Sequence, residues 1–193
     1  SWERVPCGAV VDVPEMVREA LRVLSRKDHG RIGLVISQEP VPGFDGHLRA
    51  FRETLGDVAQ SRGEVLIAGR WAAAGGCAVG EALLARPAEQ RPSALVCPDD
   101  FMAMGLAATL REGGDYRPQI ATIINKQLPL LFALPVLRFE LDMDELAAAA
   151  ADLLLERLLN PALPDRRLWV RPRLLTPGGE PITTVLQHLA TGD

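Results

Sequence analysis

The sequence predicts an α/β fold, a parallel β-sheet flanked by helices. Short apolar runs alternate with longer stretches whose apolar residues recur every three or four positions. Strands joined through helices run parallel, and a parallel sheet is covered on both faces. Hydrophobic residues make up 48% of the 193 positions, enough to build a core and to exclude a disordered chain.

Gly8 to Asp12 (GAVVD) reads as a strand. Met16, Val17, Ala20, Leu21 and Leu24 then fall on one helical face, with Pro14 in the first turn. Arg31 to Ser37 is a second strand. Phe44 to Ser61 is helical, with Leu48, Phe51 and Leu55 inward, and Glu64 to Ala68 is a third strand. Ala72 to Arg86 is a helix stopped by Pro87, and Ser93 to Cys97 is a fourth strand. Phe101 to Glu112 is a helix ended by Gly113-Gly114. Ile120 to Ile124 is a fifth strand and Pro135 to Leu141 is extended. Met143 to Leu159 is an Ala/Leu-rich helix ending near Pro161, and Leu168 to Leu175 is a last strand.

The composition excludes several functions. A net charge of -4 gives no basic footprint for nucleic acid. Cys7, Cys77 and Cys97 have no metal-ligand spacing and read as three reduced thiols of a cytosolic protein. No signal peptide and no bilayer-length apolar run is present. The sequence also lacks GxSxG, GxxxxGK[ST], HExxH and CxxC, and no GxGxxG follows a strand. No enzyme and no cofactor is expected.

Ligands of such sheets bind beyond the carboxyl ends of the strands. Five strand ends carry polar or aromatic residues: Asp12, the Ser37–Phe44 loop leading to His47, Trp71, Asp99-Asp100, and Asn125-Lys126. Each also has a plain structural reading. Asp100 and Asp12 precede helices and suit caps. Trp71 suits packing, His47 a helix surface and Asn125 a turn. What distinguishes the set is that all lie at one edge of one sheet.

Four segments resemble the lactose-repressor/galactose-repressor (LacI/GalR) family of transcriptional regulators. Val10 to Val35 keeps Asp12, Ala20, Leu24, His29, Arg31 and Ile32 in step, with Asp28 where the family has glycine. Ala94 to Gly114 keeps Asp100, Met102, Ala103, Gly105, Leu110 and Gly113. Pro118-Gln119-Ile120 leads into a strand, and Pro135 to Leu159 resembles the family's crossing strand, its Asp (Asp142) and the helix that follows. The resemblance implies a periplasmic-binding-protein-like core of two α/β lobes, with a small effector between them.

On this resemblance, residues 1–30 and 138–162 are a partial N-terminal lobe, 31–137 and 163–180 a C-terminal lobe, and 181–193 a tail. The DNA-binding head is absent. The resemblance places effector contacts at Phe44, His47, Trp71, Asp99, Asn125 and Leu141. His47 stands for the family's Arg, Asp99 for its Asn, Asn125 for its Asp and Leu141 for its Gln. Arg and Asp suit polyols through paired, charge-assisted hydrogen bonds. With His and Asn in their places, a flat, weakly polar effector stacked on Trp71 is expected rather than a plain hexose. Leu175 to Gly179 departs from the family's closing Arg-x-Ser.

The expected function is the effector-sensing core of a cytoplasmic regulator that reads DNA only through its head and has no membrane contact. The alternative is a periplasmic-type sugar receptor of the same architecture. A homodimer is also expected. The helix from Phe101 is apolar nearly all round, which calls for burial of a second face; a partner copy or the same subunit could supply it. Leu128 to Leu134 adds apolar surface just beyond the fifth strand.

Overall fold

The structure is a computed structural model that describes residues 7–26, 29–39, 44–56, 63–128 and 130–175. Its strands are β1 (Gly8–Val11), β2 (Ile32–Ser37), β3 (Gly63–Ala68), β4 (Ala94–Cys97), β5 (Gln119–Asn125), β6 (Val136–Leu141), β7 (Arg167–Val170) and β8 (Arg173–Leu174). Its α-helices are α1 (Val13–Ser25), α2 (Phe44–Leu55), α3 (Ala73–Leu84), α4 (Asp100–Glu112) and α5 (Met143–Leu159).

Six strands form one sheet in the order β3-β2-β4-β5-β6-β8, parallel except for the antiparallel edge strand β8. Period-two alternation sends each strand's side chains to opposite faces. On one face Ile32, Leu34, Ile36, Ala94, Val96, Ala121 and Phe139 pack against α1 and α2. On the other, Val35, Leu95, Cys97 and Ile120 pack against α3 and α4. The result is a three-layer α/β/α unit. A second, two-stranded sheet pairs β1 with β7 in parallel, and α5 packs beside it.

The expected last strand divides in two. Arg167–Val170 pairs with β1, and Arg173–Leu174 pairs with β6. Pro172, buried between them, cannot donate a ladder hydrogen bond and marks the break. Helix α2 ends at Leu55, short of Ser61, where Gly56 takes a left-handed φ of 54°; residues 57–62 lie outside the described residues.

The partition into lobes also differs. Helix α1, placed by the resemblance in the partial lobe, buries Met16, Val17, Ala20, Leu21 and Leu24 against the large sheet. Strand β6 likewise belongs wholly to that sheet. Strand β7, placed in the larger lobe, completes the small sheet instead. The departure at 176–179 and the tail 181–193 lie outside the described residues.

The apolar character of α4 is explained within one subunit. Helix α3 covers its second face at backbone-contact distance. A Cβ on Gly76 would stand 1.9 Å from the Met102 carbonyl oxygen, and one on Gly105 would stand 2.0 Å from that of Ala73. No partner copy is needed to bury this helix. Phe101 alone among its large apolar side chains stays well exposed.

Candidate functional site

The parallel strands β2, β3, β4, β5 and β6 deliver Ser37, Ala68, Cys97, Asn125 and Leu141 to one edge of the large sheet. Beyond β3 and β4, Trp71, Ala72, Ala73, Asp99, Asp100 and Phe101 line an open cleft of about 510 Å³. Two chain segments build it: the turn from β3 into α3, and the turn from β4 into α4.

Asp99 ties the two segments together. Its Oδ1 accepts from the backbone N–H of Met102 at 2.7 Å, which makes it the N-cap of α4. Its Oδ2 accepts from Trp71 Nε1. Backbone N–H of Trp71 donates to Glu39 Oε2 at 2.9 Å, and the Glu39 N–H donates to Ser37 Oγ at 3.0 Å. Trp71 is thus held at both its ring nitrogen and its backbone while the residue remains 49% exposed.

The cap expected at Asp100 falls to Asp99. Asp100 is the first helical residue and is 7% exposed. Its Oδ1 accepts from the Phe101 N–H at 2.9 Å, and its Oδ2 is shielded from solvent with no hydrogen-bond partner. Burial, with the charge of Asp99 beside it, raises the Asp100 carboxyl above its ordinary range.

The other predicted residues occupy neighbouring positions. His47 lies in the first turn of α2, half-buried, and burial pushes its imidazole down to about 4, so it is neutral. Asn125 ends β5 and is the ladder partner of Leu141. Leu141 is only 5% exposed and belongs to the interior. The side chain of Phe44 lies outside the described residues. Trp71 and Asp99 touch directly; among the described hydrogen bonds, none joins His47 or Asn125 to them.

Sequence reasoning placed Asp99 by its neighbours and left out Phe101, which flanks the cleft 46% exposed. A large aromatic at the second position of a helix, beside a cap, was the available signal. Just past β5, Lys126 Nζ meets Asp142 Oδ2 at 2.7 Å. Asp142 caps α5 through the N–H groups of Asp144 and Glu145, and these partners hold its carboxyl down at about 2, Lys126 first among them. Among the described residues no group of three or more His, Cys, Asp or Glu side chains could hold a metal.

A family model described as a periplasmic binding protein-like domain matches residues 21–178. No curated protein matches the chain in sequence. Solved structures match its fold. A LacI family transcription regulator from Clostridium acetobutylicum aligns with a TM-score of 0.70 at 18% identity, over 88% of this chain and 64% of that one. A LacI family regulator from Enterococcus faecalis with bound ribose aligns at 0.73 and 18%, over 88% and 61%. The Cra dual regulator from Pseudomonas putida, in complex with fructose 1-phosphate, aligns at 0.72 and 18%, over 87% and 62%. The chain therefore spans less than two thirds of the length of these structures.

Proposed function

The chain belongs to the family of periplasmic binding protein-like domains, and from that premise we propose that it is the effector-sensing core of a LacI-type transcriptional regulator. The observation that carries the reading is the cleft at the carboxyl edge of the large sheet, where Trp71 is fixed by Asp99 and Glu39 yet stays about half exposed. An exposed, immobilised indole beside convergent polar groups is how a small-molecule site is built. Regulators of the same fold carry ribose and fructose 1-phosphate.

In this reading β1, β7 and α5 are part of a second lobe, completed by a longer protein. Helix α5 supports this. Leu154, Leu155, Leu158 and Leu159 are 57% to 87% exposed on a helix that buries only Leu153. The effector then binds between the lobes, near His47, Trp71, Asp99 and Asn125. DNA is read by a separate head, and the site of action is the cytoplasm. Among the described residues no helix is long and apolar enough to cross a membrane. Two copies pair through the open flank of edge strand β3. There Ile67 is exposed, and a groove runs between β3 and Val79, Ala82 and Arg86.

Calorimetric titration of the intact protein with ribose, glucose and nucleobases tests the reading. Saturable binding of a small metabolite that Trp71→Ala abolishes is the expected result. Binding unaffected by Trp71→Ala places the effector elsewhere and overturns the assignment of this cleft. A gel-shift at moderate salt should show operator binding by the intact regulator and none by residues 1–193. Light scattering checks the pairing: Ile67→Glu should shift the dimer to monomer.

A further inference from the structure

We propose that the effector bears a protonated amine, which the cleft receives at the free oxygen of Asp100 and beside the charge of Asp99. The inference rests on the reading of this cleft as the effector site and goes on to name the chemistry of what enters it.

An ionised carboxylate only accepts hydrogen bonds. Around the cleft, every donor to a carboxylate is a neutral N–H: Met102 and Trp71 to Asp99, Phe101 to Asp100, Trp71 to Glu39. Several acids elsewhere in the molecule are matched with cations, as in Glu15 with Arg18 and Arg22, Glu64 with Arg86, Asp142 with Lys126 and Glu145 with Arg173. Among the described residues no Lys or Arg forms an ion pair with Asp99, Asp100 or Glu39. Among the described residues, the cleft therefore concentrates negative charge that no ion pair balances.

The N-terminus of α4 accounts for part of this. Its free N–H groups and dipole stabilise the Asp99 carboxylate. They do not account for Asp100 Oδ2, which is shielded from water, lacks a donor and belongs to a residue lining the cleft. Buried polar atoms are seldom left unpaired, because the cost is not recovered. A ligand N–H would supply the missing donor.

The kind of cation follows from the surroundings. Among the described residues no set of three metal-type ligands converges here, so a divalent ion is a poor occupant. Two large aromatic rings, Trp71 and Phe101, stand open at the same cleft. Aromatic faces attract organic cations and add apolar contact for the carbon skeleton. A quaternary ammonium has no N–H for Asp100, whereas a protonated amine does. A phosphorylated sugar would set like charges together.

Matched probe pairs that differ in charge decide the matter: glucosamine against glucose, and phenethylamine against 2-phenylethanol, titrated calorimetrically into the intact protein at neutral pH. The amine of at least one pair should bind about tenfold tighter than its neutral counterpart. Asp100→Asn, isosteric with a neutral carboxyl, should erase the difference, and Asp99→Asn, which keeps the cap oxygen, should reduce it. A melting curve checks that each variant folds; if Asp100→Asn does not, Asp99→Asn carries the comparison. Equal affinities within each pair, or an amine preference that survives the substitutions, overturns the proposal. Neutral sugar bound alone, and lost in Trp71→Ala, overturns it while keeping the effector site. No binding of any probe overturns both.

Discussion

His47 sits in the first turn of α2, where burial favours the neutral imidazole and pushes it down to about 4. An unfolded chain titrates His near 6.5. Above that pH both states are neutral and the residue contributes nothing to pH dependence. Between about 6.5 and 4 the unfolded chain takes up a proton that the folded one refuses, so stability falls as pH falls, by up to roughly 3 kcal/mol. Melting curves should show the native chain losing more stability on acidification through this window than His47→Gln does. Residues of the cleft were legible to different depths. Trp71 and Asp99 could be named because each follows a strand at the same sheet edge. Which of two adjacent acids caps α4 could not, since capping depends on the backbone turn at Asp99 and not on residue type. Leu141 was named only by correspondence, and its burial depends on the β5–β6 pairing.

At the scale of elements, α3 and α4 meet through Gly76 and Gly105, whose missing side chains let two backbones touch. Gly105→Ala would drive a methyl group to 2.0 Å from the Ala73 carbonyl oxygen, so the helices must separate. Urea unfolding should show a loss of about 3 kcal/mol. Gly30→Ala, with open space around it, should stay within about 0.5 kcal/mol. A similar contrast exists within α5. Leu158→Lys, on the exposed face, should leave stability within about 0.5 kcal/mol, whereas Leu153→Ala, at the buried position, should cost roughly 2–3 kcal/mol. The sequence revealed that α4 is apolar nearly all round but not what covers it. Periodicity reports how much of a helix is buried; the identity of the neighbour is written in glycines of α3, far along the chain from α4's own pattern.

For the molecule as a whole, the apolar runs located the elements well, because the central strands β2 and β4 are buried along their whole length. The division of the last strand had a signal in Arg171-Pro172-Arg173, which interrupts Leu168 to Leu175, but the different partners of its two halves were not legible. Two paired strands without a third are marginal in water. Hydrogen exchange should therefore be faster in β1 and β7 than in β2, β4 and β5; equal protection would show that α5 alone secures the small sheet. The same pairing sets an order of manufacture. Gly8 waits for Arg167, and Phe139 for Leu174, while β2 to β6 pair among themselves. On the ribosome, a nascent chain halted before Arg167 can already have closed five of the six strands of its large sheet. Strand β1, with Val10 and Val11, still lacks its β7 partner and keeps that edge open to chaperone or protease until the later strand is synthesised.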